Sequence, residues 1–239
     1  MRDPRMALRI SRPGVGSPLA FVAGMGVMTI AVSGPIDLLA EQHLSWHMVQ
    51  HLGLISIAAP LLALGRPIQL ALRLAGRRPF PERSLGTVAA ALSAVGALAV
   101  LFTWHIPLLY ALALRHEPVH ATEHLTLVGS SMLLWHALLT ARHPGAGVLW
   151  LYIVTLPMTA FGVAMTIART PWYRPYVHGD ALAAVRDQQL AGVIMWGFGG
   201  MVAVVAAVAL FAHWLIRLEA LRPDVPGSDM RGSDVRRLS

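Results

Sequence analysis

Read for polarity alone, the 239-residue chain is a run of long uncharged stretches separated by short arginine-bearing patches. Asp, Glu, Lys and Arg are missing from 13–36, 42–65, 84–114, 124–141, 144–168 and 188–216. A helix needs about 20 apolar residues to cross a hydrocarbon core of about 30 Å. Each stretch holds one such helix, and the pattern predicts six, near 17–34, 46–64, 85–104, 122–140, 147–168 and 190–214. Ser33-Gly34-Pro35 should break the first one early, and the remnant Ile106–Leu114 beyond the third is expected to lie along the membrane interface. The fourth borrows His120 to Glu123 for its first turn; Pro118 suits its start because the missing N–H would be unpaired there anyway. The expected fold is therefore all-α, a polytopic transmembrane helical bundle over 17–216. An Arg-rich segment, 1–16, precedes it, and a tail, 217–239, rich in Pro, Gly, Ser, Asp and Arg, reads as disordered. The apolar run after the N-terminal arginines lacks a small-residue cleavage site, so it reads as an uncleaved first span.

Composition agrees with this pattern. The chain is 56% hydrophobic and 13% charged, against about a quarter charged in a soluble domain. Its formal charge of +7 comes entirely from arginine. Nucleic-acid binding would need those charges on one basic face, whereas here they lie in patches between spans. Their distribution orients the bundle instead. The N-terminal segment, the second and fourth connections and the tail hold fifteen arginines; the first, third and fifth connections hold four. Both termini are thus expected in the cytoplasm.

With that topology the histidines gather. Eight of eleven, namely His43, His47, His51, His105, His116, His120, His124 and His178, fall toward the outer side. Residues four apart share a helix face, so His43, His47 and His51 form one stripe and His120 and His124 a second. Pro118 takes His116 off the helix. Cysteine is absent, which removes thiolate zinc sites, iron–sulfur clusters and disulfides. Two His-x3-His pairs at one depth can supply four imidazoles to one or two metal ions; the blander alternative is a set of polar caps and interhelical hydrogen-bonding residues. Met48 and Met195 add soft thioethers that with imidazole favour copper, although methionine is also a common packing residue. Glu123 reads as a carboxylate orienting a histidine, and Asp187 and Gln188 as outer polar residues that orient imidazoles or meet a partner.

Several blocks, taken in order, resemble a known family. They are His47-Met48-Val49-Gln50-His51-Leu52, Pro60-Leu61-Leu62-Ala63-Leu64-Gly65-Arg66-Pro67, Trp104-His105-Ile106-Pro107 with Tyr110, and His120-x-x-Glu123-His124. Leu156-Pro157-Met158, Pro171-Trp172-Tyr173 and Asp187-Gln188-Gln189-Leu190-Ala191-Gly192-x-x-Met195-Trp196 follow. Over about 43–215 the chain resembles the membrane assembly factors of caa3-type cytochrome c oxidase, the CtaG family. The resemblance implies a multi-pass bacterial inner-membrane protein, not an enzyme, needed to make active haem–copper oxidase by handling copper. Its expected partners are the lipid bilayer, oxidase subunits and periplasmic copper carriers. The expected copper ligands are His43, His47, His51, His105, His120 and His124, with Met48, Glu123, Asp187, Gln188 and Met195 as auxiliaries. Family members are often drawn with seven spans, against six counted here.

Two other readings compete. Histidines on two helices could hold haem b through both axial positions, with Gly192, Gly197, Gly199 and Gly200 admitting the macrocycle. His120-x-x-Glu123-His124 also fits an inverted zinc-protease pattern, with Glu123 as general base and Asp187 as the third ligand.

Overall fold

The structure, a computed structural model, describes residues 17–78, 86–141 and 144–220. Segment 1–16 and the tail from residue 221 onward lie outside the described residues, as do Arg83 and Arg142. What is described is helical, and no strand occurs among those residues.

Helix α1, Pro18–Ala31, starts where Ser17 Oγ accepts from Ala20 N and Pro18 opens the first turn. It stops at the expected break. Gly34 takes φ +71°, a region open to glycine, and Pro35 opens α2, Pro35–Gln42, bent 45° from α1. His43, in extended conformation, ends α2 and begins α3, Leu44–Leu52. A π turn, Gly53–Ala58, leads into α4, Ala59–Gly65, and after Arg66 into α5, Pro67–Leu74. The next helices are α6, Thr87–Trp104, and α7, Pro107–Arg115, bent by 72° from one another. That bend turns the leftover segment after the third stretch away from α6. Helix α8, Glu117–Leu139, has Pro118 in its first turn and His116 as its extended cap. Helix α9, Pro144–Ile167, contains Pro157 and runs through a loop with a 3₁₀ turn, Arg174–Tyr176, to α10, Ala181–Val193. A second π turn, Ile194–Phe198, joins α10 to α11, Gly199–Ala220.

The rod formed by α3, its π turn and α4 is the axis of the fold. Helix α1 lies along α4, α8 lies along α4 and the first π turn, and α10 crosses α3. The approach of α1 is close because Gly65 faces the backbone of Phe21; a Cβ at Gly65 would stand 2.7 Å from Phe21 Cα. Helices α6 and α7 flank α8, and α9 packs on α10, α11 and α6.

By length and composition, three helical rods among the described residues can cross a membrane: Leu44–Leu74, Gly145–Ile167 and Ala181–Ile216. Counting each bent pair as one span gives up to five. The difference from the six expected is α8. Its 23 residues are long enough, but His120, Glu123, His124, Ser130, Ser131 and His136 lower its hydropathy. Several of those polar side chains serve the chamber described next.

Candidate metal centre

Helix α3 presents His47 and His51 on one face, and α8 presents His120 and His124 opposite them. Within each pair the ring centroids are 4.2 Å and 4.3 Å apart. Across the gap, His47 stands 5.6 Å from His120 and His51 stands 5.5 Å from His124. Glu123, fully buried, projects among them; its Oε1 is 3.6 Å from His51 Nε2 and 3.9 Å from His47 Nε2. Ligand atoms of His47, His51 and Glu123 all lie within 4.8 Å of one another, a spacing on which a metal ion can close. His105, at the end of α6, is buried within electrostatic reach of Glu123 and His47.

The donor atoms are turned inward and unpaired. Buried side-chain atoms without a hydrogen-bond partner include Nε2 of His47, His51, His105, His120 and His124, and both oxygens of Glu123. Buried polar groups are ordinarily paired, so this concentration fits a cation. Two of the rings, those of His105 and His47, are also held in the tautomer a metal needs. His105 Nδ1 lies 2.7 Å from Leu101 O; a carbonyl only accepts, so Nδ1 carries the proton and Nε2 keeps its lone pair. For His47 the argument runs through Tyr176. That hydroxyl donates to Ala40 O at 2.9 Å, so it accepts from His47 Nδ1–H at 3.2 Å and from Tyr110 O–H at 3.2 Å. Burial pushes the Tyr176 and Tyr173 phenols well above their usual range, which keeps both protonated. Tyr173 in turn donates to His105 O at 2.9 Å. Such partners fix ring orientation and basicity around a bound metal.

Other expected site residues lie elsewhere or do other work. His43 does not join its stripe: it is exposed and caps α3 in extended conformation, so the helical spacing does not apply to it. Asp187 faces no imidazole; its carboxylate accepts from Leu44 N at 2.6 Å and from Ser45 N and Oγ, capping α3. Gln188 takes Trp172 N and donates to Thr170 O, and Gln189 donates to Ala168 O, so both fasten the loop after α9. Met48 and Met195 are buried in the apolar core around the chamber. Gly192 offers no slot for a macrocycle, since a Cβ there would lie 2.5 Å from Gly162 O. The tyrosine frame and the central position of Glu123 were not legible from spacing; Tyr110 and Tyr173 lie in segments that resemble the family, and Tyr176 carried no signal.

One side of the chamber opens. A cleft of about 790 Å³ is lined by His120 and His124, by the carboxylates of Asp37, Glu41 and Glu117, and by apolar residues of α1 and α8. His47 and His51, 1% and 3% exposed, lie behind it.

Comparison with known proteins places the chain. The family described as cytochrome c oxidase caa3 assembly factor (Caa3_CtaG) matches residues 5–217. An uncharacterized protein of Mycobacterium leprae (strain TN) is 27% identical over 238 residues, which cover 87% of this chain. The chain spans 36% of that relative's length. No solved structure matches it.

Proposed function

The chain belongs to the caa3 cytochrome c oxidase assembly factors, and from that premise we propose that it holds copper in the His/Glu chamber and passes it to an oxidase subunit. The observation that carries this reading is the convergence of five imidazole Nε2 atoms and both oxygens of Glu123, all buried and unpartnered. Imidazole and carboxylate suit a borderline divalent ion, and among first-row metals copper binds such donors most tightly. The oxidase is the member of the pair that uses copper. Cargo must also leave, and a chamber of exchangeable ligands beside an open cleft suits release better than a closed cage does.

In this reading α8 is a sixth crossing, with its polar face turned to the chamber and its apolar face to lipid. Both termini lie in the cytoplasm, and the chamber opens on the outer side of a bacterial inner membrane, where periplasmic carriers could load it. The crowding of four rings within 5.6 Å favours ions over a haem macrocycle. The use of Asp187 as a helix cap removes the third ligand of the protease reading.

The test is metal analysis and optical spectroscopy of the purified protein, together with oxidase assembly in cells lacking it. Copper should copurify or bind on titration, and His47→Ala combined with His51→Ala should lose it and leave the cells short of active oxidase. A haem absorbance band in the parent, or full oxidase activity from the double variant under copper limitation, overturns the proposal.

A further inference from the structure

Resting on the copper reading, we infer that the chamber holds two metal ions that share Glu123, a sealed inner one and an exchangeable outer one. The inner ion lies between His47, His51 and one carboxylate oxygen; the outer lies at His120, His124 and the other.

The donor inventory leads here. Five Nε2 atoms and two carboxylate oxygens converge unpaired, whereas a four-coordinate ion takes four donors. One ion would leave three of these seven donors without a partner. The donors also divide by geometry. His47, His51 and Glu123 close within 4.8 Å, and His120 and His124 stand outside that group. Glu123 lies between His120 and His124 in sequence, and its carboxylate is within electrostatic reach of His120. Its Oε1 faces His47 and His51, and Oε2 is likewise unpartnered. A carboxylate with both oxygens free can bridge two cations, and two-metal sites use ions about 3.5–4 Å apart.

Access divides them the same way. His47, His51, Glu123 and His105 are all 5% exposed or less. His120 and His124 line the 790 Å³ cleft, with three carboxylates, Asp37, Glu41 and Glu117, and one guanidinium, Arg115, along its walls. A cation arriving through those carboxylates meets the outer pair first. The inner station lies at residues that do not line the cleft, and Glu123 is the group both stations hold in common. His105, its Nδ1–H fixed on Leu101 O, is the spare imidazole behind them.

The experiment is titration of the full chain, in detergent or nanodiscs, with Cu(II), followed by challenge with a water-soluble chelator. Two ions per chain should bind, one leaving at least tenfold faster than the other. Magnetic coupling between them should broaden or silence the copper EPR signal once the second equivalent is added. His120→Ala with His124→Ala should keep one slow ion, and His47→Ala with His51→Ala one fast ion. A single equivalent in the parent, released in one phase, overturns the two-ion inference and leaves the copper reading standing. No copper bound by the parent overturns both. The parent's stoichiometry and release phases decide the matter even if a double variant does not fold.

Discussion

Helices α6 and α8 contribute to two cores of opposite character. Around Leu101, Leu127 and Val128 they join a core of large side chains, including Met48, Tyr110, Met165, Tyr173, Tyr176 and Met195, which wraps the chamber. Further along the same helices, Ala94, Ala97, Leu134 and Leu138 meet Leu151 and Val154 of α9 in a core of small aliphatics. Of nine buried unpaired side-chain polar atoms among the described residues, eight belong to the chamber and the ninth is Gln50 Oε1. Nearby hydroxyls are satisfied: Tyr110, Tyr173 and Tyr176 each hold a partner. All the unmade hydrogen bonds but that of Gln50 thus fall on imidazole nitrogens and carboxylate oxygens, atoms that can ligate a metal. One core is apolar throughout; the other encloses unmatched polar atoms.

That contrast can be broken most forcefully from the aliphatic side. Leu138→Asn puts an amide where nothing can pair it and removes packing; it should cost about 2–5 kcal/mol, read as a lowered unfolding midpoint in detergent. Gly192→Ala attacks the seam of α9 and α10, where a Cβ would stand 2.5 Å from Gly162 O and 2.6 Å from Thr166 Oγ1. Backbone must move, so the loss should be about 1–3 kcal/mol. An unchanged midpoint would mean the two helices are not packed as described.

Tyr176→Phe tests the frame rather than the packing. It frees Ala40 O and the His47 ring, and copper affinity should fall about 10–100-fold. Equal affinity would leave the ring's tautomer unrelated to binding. The smallest effect has the opposite sign. His51→Leu removes two unpaired buried nitrogens, so without metal the variant should be as stable as the parent or about 1 kcal/mol more so. With copper at about 100 times its dissociation constant the parent should gain about 2.7 kcal/mol, and the variant far less. A destabilised metal-free variant would show His51 to be a structural residue.

Local signals carried far along this chain and long-range ones did not. Gly34-Pro35 ends one helix and opens another by backbone chemistry alone, and the His-x3-His pairs survive because α3 and α8 are regular where they lie. His43 has the same spacing, but the helix begins one residue after it. Spacing does not reveal where a helix starts when its cap, Asp187, is supplied from 143 residues away. The same distance hid that aspartate's role. Tyr176 reaches Ala40 across 136 residues and His47 across 129. Glu123 looked like a helper because it follows a histidine motif; only the facing helix makes it the centre. The polar face that makes α8 useful also lowers the hydropathy by which a crossing is recognised.

The two π turns have a consequence for how the chain can change over generations. A π turn is a single residue inserted into an α-helix, and here Gly53–Ala58 begins two residues after His51 while Ile194–Phe198 follows α10. Deleting one residue from 53–58 would restore a continuous helix. Each residue turns a helix by about 100°, so His47 and His51 would swing through that angle relative to α4 and leave Glu123. A lineage could lose the chamber by dropping one codon that encodes none of its ligands, and its histidines would still read as intact.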